Sequence, residues 1–135
     1  NETSRALSRW PELADVAAAL TAKLEQLDRL PGHHTMDFAG VSLELIVGDA
    51  RDTLPQWQGM VDAWYLDGFS PAANPELWDA ALLAGVFERT TPGGTFSTYT
   101  AAGWVRRNLI AAGFTVEKVA GHGRKRERLQ GRRDS

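Results

Sequence analysis

The chain has 135 residues, 43% hydrophobic and 24% charged, a balance expected of one soluble globular domain with an ordinary core. It contains no run of about 18 apolar residues to span a membrane and no charged-then-apolar leader, so the expected location is cytoplasmic. The lack of cysteine excludes disulfides, thiolate metal ligands and a cysteine nucleophile, and three histidines, two of them adjacent at His33 and His34, form no metal-binding pattern.

From Leu7 onward, Trp10, Leu13, Ala17, Leu20, Leu24 and Leu27 recur at spacings of three and four, the stripe of an amphipathic helix. Pro11 suits a first turn and not a helix interior. A short turn ending near Trp10 and a helix from Pro11 to about Arg29 are therefore predicted, stopped by Pro31-Gly32. Val41 to Val47 alternates and then turns wholly apolar, which predicts a strand that becomes fully buried before Gly48-Asp49-Ala50, with Met36 to Ala39 as a short hairpin partner. Val61 to Leu66 predicts a second strand, buried on both faces, that ends at Asp67-Gly68. Asn74 followed by Pro75 marks a helix start, and that helix is expected to end before Pro92-Gly93-Gly94. Thr95 to Tyr99 is a third strand. Ala102, Val105, Leu109 and Ala112 mark a helix closed by Gly113, Phe114 to Val119 is a fourth strand, and Arg126 to Gln130 is a fifth, antiparallel to its neighbour after the turn at Gly121-His122-Gly123. Strands alternating with helices and ending in a hairpin predict an α/β doubly wound sheet.

Charge is uneven. Residues 1–105 carry six Lys/Arg against fourteen Asp/Glu, and residues 106–135 carry nine against three. An acidic body with a basic end fits a protein that meets phosphates along one edge, and it equally fits a solvated terminal strand. In an open α/β sheet, ligands bind beyond the carboxyl ends of the parallel strands, and Asp49 and Asp67 both follow such ends. Each has two readings: a hydrogen-bond acceptor for a ligand's amino group, or a cap on the following helix or turn. Asp67 also suits orienting or deprotonating a nucleophile, and its loop-like context favours function there.

The block from Val61 through Leu66-Asp67-Gly68-Phe69-Ser70-Pro71 to Asn74-Pro75-Glu76-Leu77-Trp78, then Pro92-Gly93-Gly94-Thr95, Ala102-Gly103-Trp104-Val105-Arg106-Arg107 and Gly121-His122-Gly123-Arg124-Lys125-Arg126-Glu127, resembles the methyltransferase domain of the MnmC family. These are the 5-methylaminomethyl-2-thiouridine biosynthesis proteins of bacterial tRNA, and the likeness spans roughly residues 5–131. The resemblance implies a class I S-adenosylmethionine-dependent, Rossmann-like fold, with residues 1–135 as part of one domain: a helical segment over 4–30, and strands 3 to 7 with their helices over 36–131. It implies methyl transfer to the amine of 5-aminomethyl-2-thiouridine at the wobble position. Asp67 would lie near the amine and the cofactor, Asp49 and Ala50 at the adenine, and Phe69 and Pro71 about the base. Arg124, Lys125 and Arg126 would meet tRNA phosphates, unless they form only a solvated turn. FAD enters only where an oxidase domain is fused. The glycine-rich cofactor loop and the first two strands of that fold have no counterpart in the chain, so two open sheet edges are expected, with weak or no cofactor binding by these residues alone. A start at Asn1 without methionine suggests a piece of something longer. The alternative is a nucleic-acid-binding module that keeps the fold without catalysis.

Overall fold

The computed structural model describes residues 11–26, 32–38, 40–121, 123 and 126–135. They divide into two compact units, Asn1–Gly48 and Asp49–Ser135.

In the first unit, a 3-10 turn at Pro11–Leu13 leads into α1 (Ala14–Gln26), as expected from a proline confined to the helix entry. The expected turn before Trp10 and the helix end near Arg29 lie outside the described residues. The strands β1 (Gly32–Phe38) and β2 (Val41–Val47) pair antiparallel along their whole length, from Gly32 opposite Val47 to Phe38 opposite Val41. The hairpin is thus longer than the Met36–Ala39 segment predicted. Gly40, at φ 76°, takes the left-handed conformation that a two-residue connection demands. Full burial of the second strand is not found: Val41 and Ile46 are exposed, and Met36 is the one buried hydrophobic residue described in this unit. A two-stranded ribbon cannot enclose both of its faces.

The second unit carries the core. Its strands are β3 (Val61–Leu66), β4 (Thr90–Thr98), β5 (Thr115–Val119) and β6 (Arg128–Arg132), in the order β3-β4-β6-β5. β3 and β4 run parallel, and β6 runs antiparallel to both β4 and β5. With β3, β4, β5 and β6 counted as strands 4, 5, 6 and 7 of the fold that the resemblance implies, the order reads 4-5-7-6. The helices α2 (Ala50–Gln56), α3 (Ala80–Glu88) and α4 (Gly103–Ala112) supply Leu54, Leu83, Val86, Val105 and Leu109 to one face, where they meet Trp64, Leu66, Phe96, Phe114 and Leu129. Alternate residues turn the other way: Ala63, Tyr65, Thr95, Ser97, Glu117 and Gln130 line a broad open concavity on the opposite face. β3 is therefore buried on one face only, contrary to its nearly continuous apolar sequence, and Tyr65 is 83% exposed.

Several element boundaries differ from expectation. Asn74 makes no side-chain cap. A 3-10 turn at Pro75–Trp78 intervenes, and Asp79 caps α3 by accepting from the Leu82 N–H at 2.7 Å. Pro92-Gly93-Gly94 lies inside β4 and does not precede it, because the Arg133 backbone brackets it: the Gly93 N–H donates to Arg133 O and the Arg133 N–H to Gly94 O, both at 2.8 Å. The last strand runs from Arg128 to Arg132, two residues later than predicted. Gly113 closes α4 at φ 124° as expected.

Candidate functional site

Parallel pairing of β3 with β4 sets Leu66 beside Thr98, so both strands deliver their ends to one rim. There Asp67 is exposed and lines a shallow cavity of about 210 Å³ with Tyr65, Ser97, Thr98, Tyr99 and Arg128. Arg128 is half-buried and donates to Ser97 Oγ at 2.8 Å, which keeps its guanidinium on the cavity wall. Two tyrosines, one carboxylate and one guanidinium thus share a small, open, aromatic-sided space.

The loop that leaves β3 is fastened through its backbone. Tyr99 Oη donates to Gly68 O at 2.8 Å, and Trp78 Nε1 donates to Phe69 O at 2.8 Å. Ser70 O accepts from the amides of Ala73 and Asn74 at 3.0 and 2.9 Å. Phe69 projects outward, 73% exposed, whereas Pro71 is buried, so the two residues expected to shape one base pocket face different surroundings. Neither lines the cavity around Asp67.

Asp49 sits at the start of α2 as its N-cap, accepting from the Arg51 N–H at 2.9 Å. Its carboxylate also takes Arg51 Nη2 at 2.6 Å and Nε at 3.1 Å, and these hydrogen bonds hold it from the ordinary 3.8 down to about 2. The capping reading of Asp49 is realised in the fold. Neither Asp49 nor Ala50 lines the cavity around Asp67. Of the basic turn, Arg126 is exposed, and Arg124 and Lys125 lie outside the described residues. Tyr99, Trp78, Ser97 and Arg128 had no assigned place in the sequence reading. The signal for Tyr99 was available: it directly follows β4, the next strand in the chain after β3, and consecutive parallel strands share a rim. Trp78 gave no local sign that its indole would reach back nine residues.

Residues 11–134 match the model of a family described as S-adenosyl-L-methionine-dependent methyltransferase. The chain is 48% identical to the tRNA 5-methylaminomethyl-2-thiouridine biosynthesis bifunctional protein MnmC of Aeromonas salmonicida, over 98% of the chain and 21% of that protein. The protein of the same name from Aeromonas hydrophila is 51% identical over 96% of the chain and 20% of its own length. The chain therefore spans about a fifth of these relatives. The crystal structure of MNMC2 from Aquifex aeolicus superposes with a TM-score of 0.71 at 30% identity, covering 91% of this chain and 38% of that one. With a family match through nearly the whole chain, the chain belongs to the S-adenosyl-L-methionine-dependent methyltransferases.

Proposed function

We propose that the protein carrying this chain transfers a methyl group from S-adenosylmethionine to the primary amine of 5-aminomethyl-2-thiouridine at the tRNA wobble position. The observation that carries the proposal is the end-to-end identity of about half with proteins named for that biosynthesis. The rim geometry is suited to it. When bound, S-adenosylmethionine supplies an electrophilic methyl group, so the protein's task is alignment and keeping the amine neutral. Asp67 would accept an N–H hydrogen bond from the amine, aim its lone pair, and receive the proton released as the new C–N bond forms. Phe69, outward and unburied, offers a face on which a base can stack. Pro71 contributes from within by shaping the loop that presents Phe69.

Two points of the chain are assigned to the donor. An ionised carboxylate offers about four acceptor positions. Arg51 already gives each Asp49 oxygen two contacts, its backbone N–H and Nε to Oδ1 and its Nε and Nη2 to Oδ2, so an adenine amino hydrogen would bind there, with Ala50 beside it, by taking over one side of the shared Nε contact. The Asp67 cavity suits the reacting end of the donor and not its whole length. Arg124, Lys125 and Arg126 are assigned to tRNA phosphates. With tRNA as the substrate, the location assigned to the protein is the cytoplasm; no described helix is long and apolar enough to cross a membrane. FAD enters the proposal only through the bifunctional relatives, and no described residue is assigned to it.

Incubating the full-length protein with S-adenosylmethionine and tRNA bearing 5-aminomethyl-2-thiouridine, then weighing the released nucleosides, tests the proposal. One methyl group added to that nucleoside is expected. Salt-sensitive tRNA binding with no methyl added would replace the proposal by the non-catalytic binding module.

A further inference from the structure

Asp67 is useful for methyl transfer only if its carboxylate keeps one direction, and an exposed strand-end loop containing Gly68 has little intrinsic reason to do so. In this protein the three carbonyls that follow it are all taken. Gly68 O is held by the Tyr99 hydroxyl, Phe69 O by the Trp78 indole, and Ser70 O by the amides of Ala73 and Asn74. The last of these is an ordinary local turn. The first two are long-range, reaching 31 and 9 residues along the chain, and they come from different elements. The two donors also brace each other: the Trp78 and Tyr99 rings meet edge to face with centroids 6.1 Å apart. Trp78 is 2% exposed and is fixed in turn by Asn108 Nδ2 on α4, which donates to Trp78 O at 3.1 Å. A rigid core side chain therefore sets the position of a surface loop, and Tyr99, which lines the Asp67 cavity itself, closes it from the other side.

We propose that Trp78 and Tyr99 are positioning residues for the methyl transfer, pinning the two carbonyls beyond Asp67 so that its carboxylate is held toward the substrate amine. The inference rests on the function proposed above. Bonds that only satisfied buried polar groups would affect stability, whereas bonds that aim Asp67 affect turnover through Asp67, and the two are separable.

The test uses the full-length protein with Tyr99→Phe, Trp78→Phe and both together, each with and without Asp67→Asn. Every variant keeps an aromatic ring and loses a donor. The expected result is a fall in kcat of about tenfold for Tyr99→Phe and roughly a hundredfold for the pair, the scale on which small misplacements act, with KM for S-adenosylmethionine within about twofold. Asp67→Asn should then add little in the doubly substituted protein, because a carboxylate no longer aimed has little left to lose. Hydrogen exchange supplies a readout independent of turnover: the Ala73 and Asn74 amides should exchange faster in each variant. Unchanged kcat, or an Asp67→Asn effect that multiplies undiminished, overturns the inference. Should Trp78→Phe not fold, the same cycle on Tyr99→Phe decides it, since that variant removes a single hydroxyl from a half-exposed ring. A wild-type protein that methylates no aminomethyl-uridine tRNA overturns the proposed function instead, and the exchange rates still test the pinning.

Discussion

Asp67 and Asp49 show how one residue type at two strand ends takes different work from its neighbours. Asp49 is met by Arg51 through backbone and side chain, and it starts a helix. Asp67 has no such cap and faces a cavity. Replacing Asp67 by Asn keeps an acceptor oxygen and removes the charge and the basicity. We therefore expect kcat on tRNA to fall by about a hundredfold, the low end of general-base contributions, with S-adenosylmethionine affinity nearly unchanged by calorimetry. For Asp49 the expectation concerns pH. Its carboxyl is held from 3.8 down to about 2 by hydrogen bonds from Arg51. A depressed carboxylate contributes its stabilisation above the unfolded value and loses it as pH falls through the folded one, so the Asp49–Arg51 contact is intact above about pH 4 and lost toward pH 2. A carboxyl NMR titration should place the Asp49 midpoint near the depressed value, and Arg51→Ala should return it toward 3.8. A midpoint unmoved by Arg51→Ala would show that Arg51 is not the cause.

At the scale of elements, the contacts that fix the sheet on its helices are specific enough to test. Thr90 is fully buried where β4 begins. Its hydroxyl donates to Val86 O on α3 at 2.7 Å and accepts from Trp64 Nε1 on β3 at 3.0 Å, tying three elements through one oxygen. Thr90→Val preserves the shape and strands the Trp64 indole, at a cost of about 1–3 kcal/mol measurable by chemical denaturation. Gly131 lies in β6 between β4 and β5, where a Cβ would run into Thr115 O and the Phe96 ring, so Gly131→Ala should destabilise by a similar ~1–3 kcal/mol. These same contacts explain what the sequence did and did not reveal. Strands β3, β4 and β5 and helix α4 were legible because each has its own apolar period and punctuation. The seven-residue α2, with Pro55 inside it, has too little stripe to announce itself. Pro92-Gly93-Gly94 looked like a break because its partner, Arg133, stands some forty residues away. Asn74 was a good cap by type, but the 3-10 turn that follows moves the helix start to Asp79, which was equally good. At the rim, the position of Asp67 was readable from its strand end. The Trp78 and Tyr99 donors were not, since neither bond follows from local spacing.

Taken whole, the chain separates its charges along the sequence, with fourteen acidic residues before residue 106 and nine basic ones from there on. Under the proposed function, an acidic stretch would repel tRNA, so any phosphate contacts these residues make are expected in the basic end. Not every cation there is available. Lys118 is paired with Glu127 at 3.4 Å, and Arg132 with Asp134 at 3.0 Å, while Arg133 is spent inside the fold on Phe87 O and Thr90 O. Arg128 donates to Ser97 and belongs to the Asp67 cavity wall. That leaves Arg106 and Arg107, both exposed on α4, and Arg124-Lys125-Arg126, the run of three consecutive cations that precedes β6 in the sequence. Each phosphate contact contributes about 0.7–0.9 to the slope of log affinity against log salt. Replacing the three residues by alanine in the full-length protein should therefore weaken tRNA binding and flatten that slope by about two to three, by filter binding across a salt series. Lys118→Ala, already neutralised by Glu127, should change the slope much less. Equal slopes for the triple variant and the wild type would mean that the turn is only solvated and that tRNA is held elsewhere.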